Sequence, residues 1–415
     1  MMSCPCPSVS RGPAGATLDL ALVTETWPPE VNGVAHTLER LAEGLRARGH
    51  RVRVVRPRQP ADRLPEDPAA MAKEWLSADI ALPGCPIPGY RGLQLGLPAG
   101  RRLHRLWIRY RPDVVYVATQ GPLGHSAVAA ARRLGVPVVS GFHTRFDGYA
   151  RHYGVGLLTP LARLLLKRFH NRCAATLVPT RTLAEELGAR GFERVGVLGR
   201  GVDTRRFTPA RRSRSLRAQW GAGRDTPVVL HVGRLAPEKN LPLAIAAFRA
   251  LQARLPQARL VLVGDGPLRA RLERAHPDVI LVGEKTGQAL AQHYASADLF
   301  LFPSLSETFG NVLLEAMASG LPVLAFDTAA AHEHLGDGVH GRRVPVTGVS
   351  ATDERAFVSA ARALADMPEW WPTLGSRGRE RAQTQDWCRV VEEFEAVVAS
   401  TLPTEIRDAH APAHG

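Results

Sequence analysis

A chain of 415 residues, 45% hydrophobic and 22% charged, has the composition of a folded soluble protein with room for two or three domains. No apolar stretch approaches the ~20 residues that a membrane-spanning helix needs. The net charge of +14, from 53 Lys and Arg against 39 Asp and Glu, suits anionic lipid surfaces, nucleotide diphosphates or nucleic acid. The basic runs carry no nucleic-acid fold motif and few interleaved aromatics, so no nucleic-acid partner is expected.

Residues 1–16 lack an apolar h-region and read as a disordered leader, not a signal peptide. The scattered cysteines, Cys4, Cys6, Cys85, Cys173 and Cys388, are odd in number and lack zinc spacing. They are expected to be reduced thiols of a cytoplasmic protein. LDLALVT (18–24) reads as a first strand, a Pro-rich loop follows, and Leu38, Leu41 and Leu45 mark a helix over about 35–48. With a strand at 52–55 this is strand–helix–strand grammar. The loop puts Asn32 and Gly33 where backbone can approach a ligand. A segment at 99–110 carries Arg101, Arg102, Arg105 and Arg109 beside Leu103, Leu106, Trp107 and Ile108, a basic amphipathic helix that suits a membrane or an ordinary protein surface. A strand at 137–140 ends in Gly141-Phe142-His143, which puts His143 on the edge of the sheet where ligands bind. Beyond it, Arg145, Tyr149, His152 and Tyr153 are candidates to line an acceptor site. The segment 157–169 is an apolar-basic helix that either packs or touches lipid. Gly199 to Asp203 closes the first domain, and residues 206–225 read as a linker with one short helix.

A second series begins with VVLHVG at 228–233. Gly233, Arg234 and Lys239 then fall between a strand end and a helix start, the place to neutralise a diphosphate. GDGP at 264–267 reads as a sharp strand-to-helix turn. The most informative stretch is LFLFPSLSETFGNVLLEAMASGLPVLAFD, 299–327. It reads as a buried strand, a polar loop with Glu307, a helix from about Phe309 to Ser319 that includes Glu315, a terminating Gly320 and another strand. At ~1.5 Å per residue the two carboxylates are roughly 12 Å apart. Paired glycosidase carboxylates need about 5–9.5 Å, so these two should touch different parts of one long ligand. Amides of Phe309, Gly310 and Asn311 at the helix start suit an anion between them. A ligand with a central diphosphate and hydroxyl-rich ends fits. His332-Glu333-His334 lacks a third ligand, and its two histidines do not share a helix face, so it is expected on the surface.

Glu307-x7-Glu315 within SETFGNVLLEAMASGLPV, with GRLxxEKN at 233–240, resembles the retaining family-four (group 1) glycosyltransferases. The resemblance covers about 18–395. It implies an α/β chain of GT-B class, two Rossmann-like parallel-sheet domains facing across a cleft. The implied divisions are an acceptor-side domain at 17–205, a nucleotide-sugar domain at 206–375, a C-terminal helix at 376–402 crossing back, and a tail at 403–415. ETWPPEVNGV, FHTRFDGYARHYG and GRGVDTRRF resemble the bacterial mannosyltransferases and the sulfoquinovosyl- or glycosyl-diacylglycerol synthases.

By that resemblance the protein is a hexosyltransferase moving a mannosyl or glucosyl group from a nucleotide diphosphate sugar. The expected acceptor is a lipid or glycolipid at the inner face of the plasma membrane, with peripheral contact to anionic lipid. A soluble or polysaccharide acceptor, or a GT-B nucleotide-sugar epimerase, is the alternative. His143 orients the sugar. Arg234 and Lys239 stabilise the departing diphosphate, Glu307 holds sugar hydroxyls and Glu315 holds ribose hydroxyls. Gly233, Phe309, Gly310 and Asn311 complete the donor contacts. Asn32 and Gly33, where the family often has two glycines, form an acceptor or phosphate loop with Arg145 and Tyr149. No Asp-x-Asp pair offers a metal clamp, so no metal or other cofactor is expected.

Overall fold

A computed structural model describes residues 17–30, 32–60, 62, 79–86, 94–143 and 159–403. Of the candidate residues, Arg145, Tyr149, His152 and Tyr153 lie outside that set, as do the leader and most of the tail. The chain divides into two compact units. One contains the described residues up to 143, those from 159 to 199 and those from 387 on; the other contains 200–386.

The first unit is built on a seven-stranded parallel sheet of β1 (Asp19–Val23), β2 (Arg51–Pro57), β3 (Asp79–Leu82), β6 (Val114–Val117), β7 (Val138–Gly141), β8 (Ala175–Val178) and β9 (Val195–Val197). Their order across the sheet is β3-β2-β1-β6-β7-β8-β9. A small antiparallel pair, β4 (Gly84–Pro86) with β5 (Gln94–Gly96), stands beside it. The second unit has a six-stranded parallel sheet of β10 (Val228–Val232), β11 (Arg259–Val263), β12 (Ile280–Leu281), β13 (Leu299–Phe302), β14 (Val323–Phe326) and β15 (Gly341–Val344). Its order is β12-β11-β10-β13-β14-β15. Both sheets are doubly wound, and the chain reverses its direction of growth between β1 and β6 in one and between β10 and β13 in the other. Ligands of such sheets bind at the strand C-termini beside that reversal.

The near-continuous apolar strands follow from burial on both faces. On β10, Val228, Leu230 and Val232 enter one core with Phe300 and Phe302, while Val229 enters the opposite core with Leu299 and Leu301. The register Leu230↔Phe300 keeps the two strands in step. Each such side chain contributes about 1.5–3 kcal/mol on burial.

Residues 206–225 are not the linker that their composition suggests. Phe207 and Trp220 are core residues of the second unit. Arg217, on the helix Arg214–Gln219, is buried, pairs with Asp298 and donates to the carbonyls of Gly223, Thr226 and Ser296. The C-terminal region is two helices, Trp371–Gln383 and Trp387–Thr401. The last returns to the first unit, where Val390, Val391, Phe394 and Val398 join the core of β1, β2 and β6. Cys85 and Cys173 are free thiols, but Cys388 is disulfide-bonded, which corrects the expectation of reduced cysteines there. No helix among the described residues is long and apolar enough to cross a membrane.

Candidate active site

In the second unit, the loops after β10 and β13 meet at the reversal point. The β10 loop runs through Gly233 and Arg234 into a short 3-10 turn, Pro237–Lys239. The β13 loop carries Ser304, Ser306 and Glu307. Ser304 Oγ and Ser306 Oγ both donate to the Glu238 carbonyl, at 3.3 and 3.2 Å, which ties the loops together. Lys239 Nζ forms an ion pair with Glu307 Oε1. Burial alone pushes the Glu307 carboxyl up, but the Lys239 ammonium and the Ser304 hydroxyl outweigh it and hold the group below the usual glutamate range. Arg234, more exposed, lies 3.8 Å from Glu238 Oε1.

The helix expected from Phe309 begins two residues later, at Asn311, and runs to Ala318. Gly310 is its N-cap, at φ 93°, and a Cβ there would lie 2.8 Å from Phe302 Cζ. Only glycine meets both demands. Phe309 turns its ring into the core, 5.8 Å from His334, and its carbonyl accepts from Ala330 N–H. Its side chain is therefore a core anchor for the loop. His334 packs there too and lies 3.3 Å from Arg381 Nη2; burial pushes it down to about 4. That corrects the surface assignment of the HEH run, of which His332 alone is well exposed and bonded to Asp327. Glu315 accepts a 2.9 Å hydrogen bond from Tyr294. Burial raises its carboxyl to about 7, against the lowering effect of that bond and of Arg206.

His231 was not legible as a site residue. It is fully buried on β10, and its Nδ1 lies 3.0 Å from the Leu301 carbonyl. A carbonyl only accepts, so Nδ1 carries the proton and Nε2 is left as an acceptor. Nε2 has no partner among the described residues and lies 3.5 Å from where a Cβ on Gly233 would stand. Burial pushes the ring down to about 4, so it is neutral beside Lys239. The one sequence signal was a histidine interrupting an apolar strand two residues before Gly233.

In the first unit, His143 follows the C-terminus of β7, and its Nε2 lies 2.9 Å from Tyr116 Oη. A Cβ on Gly141 would come within 2.5 Å of both groups, so the glycine makes room for the pair. Glu25, after β1, faces the N-terminus of the helix Pro122–Arg133. It accepts from Leu123 N–H at 3.2 Å, and its burial raises it to about 7. Asn32 caps the helix Gly33–Ala47, accepting from the amides of Val34 and Ala35 while its Nδ2 donates to Thr26. Its side chain thus serves the helix start, next to Gly33 at the first helical position.

Comparison with known proteins gives this arrangement a family. Residues 31–206 match the family model described as Glycosyltransferase Family 4, and residues 226–367 match Glycosyl transferases group 1. A GDP-mannose-dependent alpha-mannosyltransferase of Mycobacterium tuberculosis is 37% identical over 79% of this chain and 84% of its own length. An alpha-monoglucosyldiacylglycerol synthase of Acholeplasma laidlawii is 26% identical over 74% of this chain and 79% of its own. Among solved structures, the sucrose-phosphate synthase of Thermosynechococcus elongatus superposes with a TM-score of 0.69 at 21% identity, over 92% of this chain and 98% of its own, a likeness of fold. The chain belongs to the family 4 (group 1) glycosyltransferases, enzymes of GT-B fold, among their mannosyltransferase and glycolipid synthase relatives.

Proposed function

We propose that this hexosyltransferase moves a mannosyl group, or failing that a glucosyl group, from a nucleotide diphosphate sugar to a lipid acceptor, with retention at the anomeric carbon. The observation that carries the donor half is the convergence of Arg234, Lys239 and Glu307 at the β10/β13 reversal point. In the proposed reaction the bond from the anomeric carbon to the β-phosphate oxygen breaks, and a bond from the acceptor oxygen to that carbon forms on the same face. The departing phosphate oxygen takes the acceptor's proton. Arg234 and Lys239 neutralise the diphosphate as it leaves, in place of a metal ion. Glu307 holds sugar hydroxyls and Glu315 the ribose; His143, bonded to Tyr116, is the first unit's candidate for contact with substrate.

The mannosyl donor is supported by the mycobacterial relative's name, and the lipid acceptor by that of the diacylglycerol synthase. A lipid acceptor also suits the surface of the first unit. The helix Thr159–His170 exposes Leu161, Leu164 and Leu165 among Arg163, Lys167 and Arg168. The helix Gly100–Arg109 buries Leu103, Leu106 and Trp107 and exposes Arg101, Arg102 and Arg105. Apolar side chains flanked by cations favour the interface of an anionic membrane, and we assign the inner membrane face on that ground.

The test is incubation with GDP-mannose, EDTA and phosphatidylglycerol vesicles containing diacylglycerol or phosphatidylinositol, with the product's anomeric configuration read by NMR. An α-mannosyl lipid formed with EDTA present is the expected result. A β-linked product would overturn retention, dependence on a divalent ion would overturn the metal-free reading, and transfer only to soluble sugars would overturn the lipid acceptor.

A further inference from the structure

Tyr294 lies in the helix Gly287–Ser296 and is fully buried, its ring 5.6 Å from Phe207 and 5.8 Å from Phe300. Packing alone would be served as well by phenylalanine, and a buried hydroxyl costs stability unless it is bonded. The Tyr294 hydroxyl is bonded: it donates to Glu315 Oε2 at 2.9 Å. That is the single protein hydrogen bond to the Glu315 carboxylate among the described residues, so Oε1 is left to accept from a ligand. The other charged group acting on the carboxylate is Arg206, itself 3.7 Å from Asp203. From the neighbouring helices, Arg379 of Trp371–Gln383 is committed to the carbonyls of Phe207 and Ala318, and His334 of Ala329–His334 packs on Phe309. Neither competes for Glu315.

We propose that Tyr294 is a positioning residue for donor binding: its hydroxyl fixes one carboxylate oxygen of Glu315 so that the other meets the ribose hydroxyls of the nucleotide sugar. This rests on the reading of Glu315 as the ribose ligand. The bond also opposes the burial that raises Glu315 to about 7, which favours the charged, accepting form at neutral pH. A ring wedged between two aromatics gives the hydroxyl little freedom, so the carboxylate is held in one rotamer before the donor arrives.

The experiment compares wild type, Tyr294→Phe, Glu315→Gln and the double variant by calorimetric titration. The probes are GDP-mannose and UDP-glucose, each with its 2′,3′-dideoxyribose analogue. Tyr294→Phe is expected to weaken the ribose-bearing donor about tenfold, the scale of one hydrogen bond to a charged group. It should leave the dideoxy analogue unchanged and add nothing to Glu315→Gln. Equal weakening of donor and analogue would reduce Tyr294 to a packing role and overturn the proposal, as would unaltered donor affinity. If Glu315→Gln weakens the donor and Tyr294→Phe does not, only the role of Tyr294 falls. If neither does, the ribose reading of Glu315 falls with it. Should Tyr294→Phe melt far below wild type, the titrations are run well below its melting temperature and the ratio of donor to dideoxy-analogue affinity, which loss of folded protein does not change, carries the same test.

Discussion

The ion pair of Lys239 with Glu307 joins the two groups that the proposed reaction assigns to different ends of the donor. On that proposal a diphosphate competes with Glu307 for the ammonium, and sugar hydroxyls replace the ammonium on the carboxylate. Two substitutions separate these roles. Glu307→Ala is expected to lower kcat by about 100-fold or more while nucleotide diphosphate affinity, measured by titration, stays level or tightens because Lys239 is released. Lys239→Met should weaken donor binding and leave a largely buried carboxylate unpaired, costing about 1–3 kcal/mol in a urea midpoint at pH 7. Glu307 is held below its unfolded value of 4.5, so its contribution is present above that pH and lost below it as the pH falls through the folded value. The stability gap between Lys239→Met and wild type should close accordingly in acid. The placement of Arg234, Lys239 and Glu307 just after strand ends is legible in the chain, from GRLxxEKN for the first two and from the loop ahead of Glu307-x7-Glu315 for the third. Their pairing could not, since 68 residues separate Lys239 from Glu307 and only the sheet brings them together. His231 and Tyr294 are not legible for another reason: a single polar residue in an apolar run reads as packing until its partner is known.

Among the elements, the strand–loop–helix from Leu299 to Ala318 sets the geometry of the loop that carries Glu307. Gly310 holds φ 93° against Phe302, which is why the helix starts at Asn311 and not at Phe309. Gly310→Ala forces a Cβ into the Phe302 ring and a left-handed backbone on alanine. It is expected to cost about 1–3 kcal/mol and to move Glu307, so transfer should fall more steeply than the melting temperature alone would explain, as measured by kcat on the folded fraction. The strand and helix could be read from apolar runs and from Gly320, which does end the helix at φ 78°. The two-residue shift could not, because it depends on a ring from the preceding strand. The segment 206–225 shows the same limit. Its charge and glycine suggest a linker, yet the partners of Arg217 lie as far away as Asp298, and those contacts make it part of the second unit's wall.

For the whole molecule, the alternation of strands and helices was enough to expect two doubly wound sheets, whereas the return of the chain at Trp387 into the first unit's core depends on contacts remote in sequence. Buried titratable groups in the first unit set its response to pH. His170, fully buried and bonded to Ser140, is pushed down to about 3, so the unfolded state binds the proton more readily and stability falls as pH drops below 6.5. Glu25 has the opposite sign. Its folded value of about 7 lies above the unfolded 4.5, so its penalty appears as pH rises through that window. Glu25→Gln should therefore gain stability over wild type progressively from pH 4.5 to 7, followed by the urea midpoint of the first unit; a constant difference would contradict the assignment. The donor site proposed at the β10/β13 reversal point is tested by titrating GDP-mannose and UDP-glucose, in EDTA, into wild type and Arg234→Met. Wild type is expected to bind one of these donors without a metal ion, and the variant to bind it at least about tenfold more weakly. Equal affinity in both proteins would place the donor somewhere other than the β10/β13 reversal point.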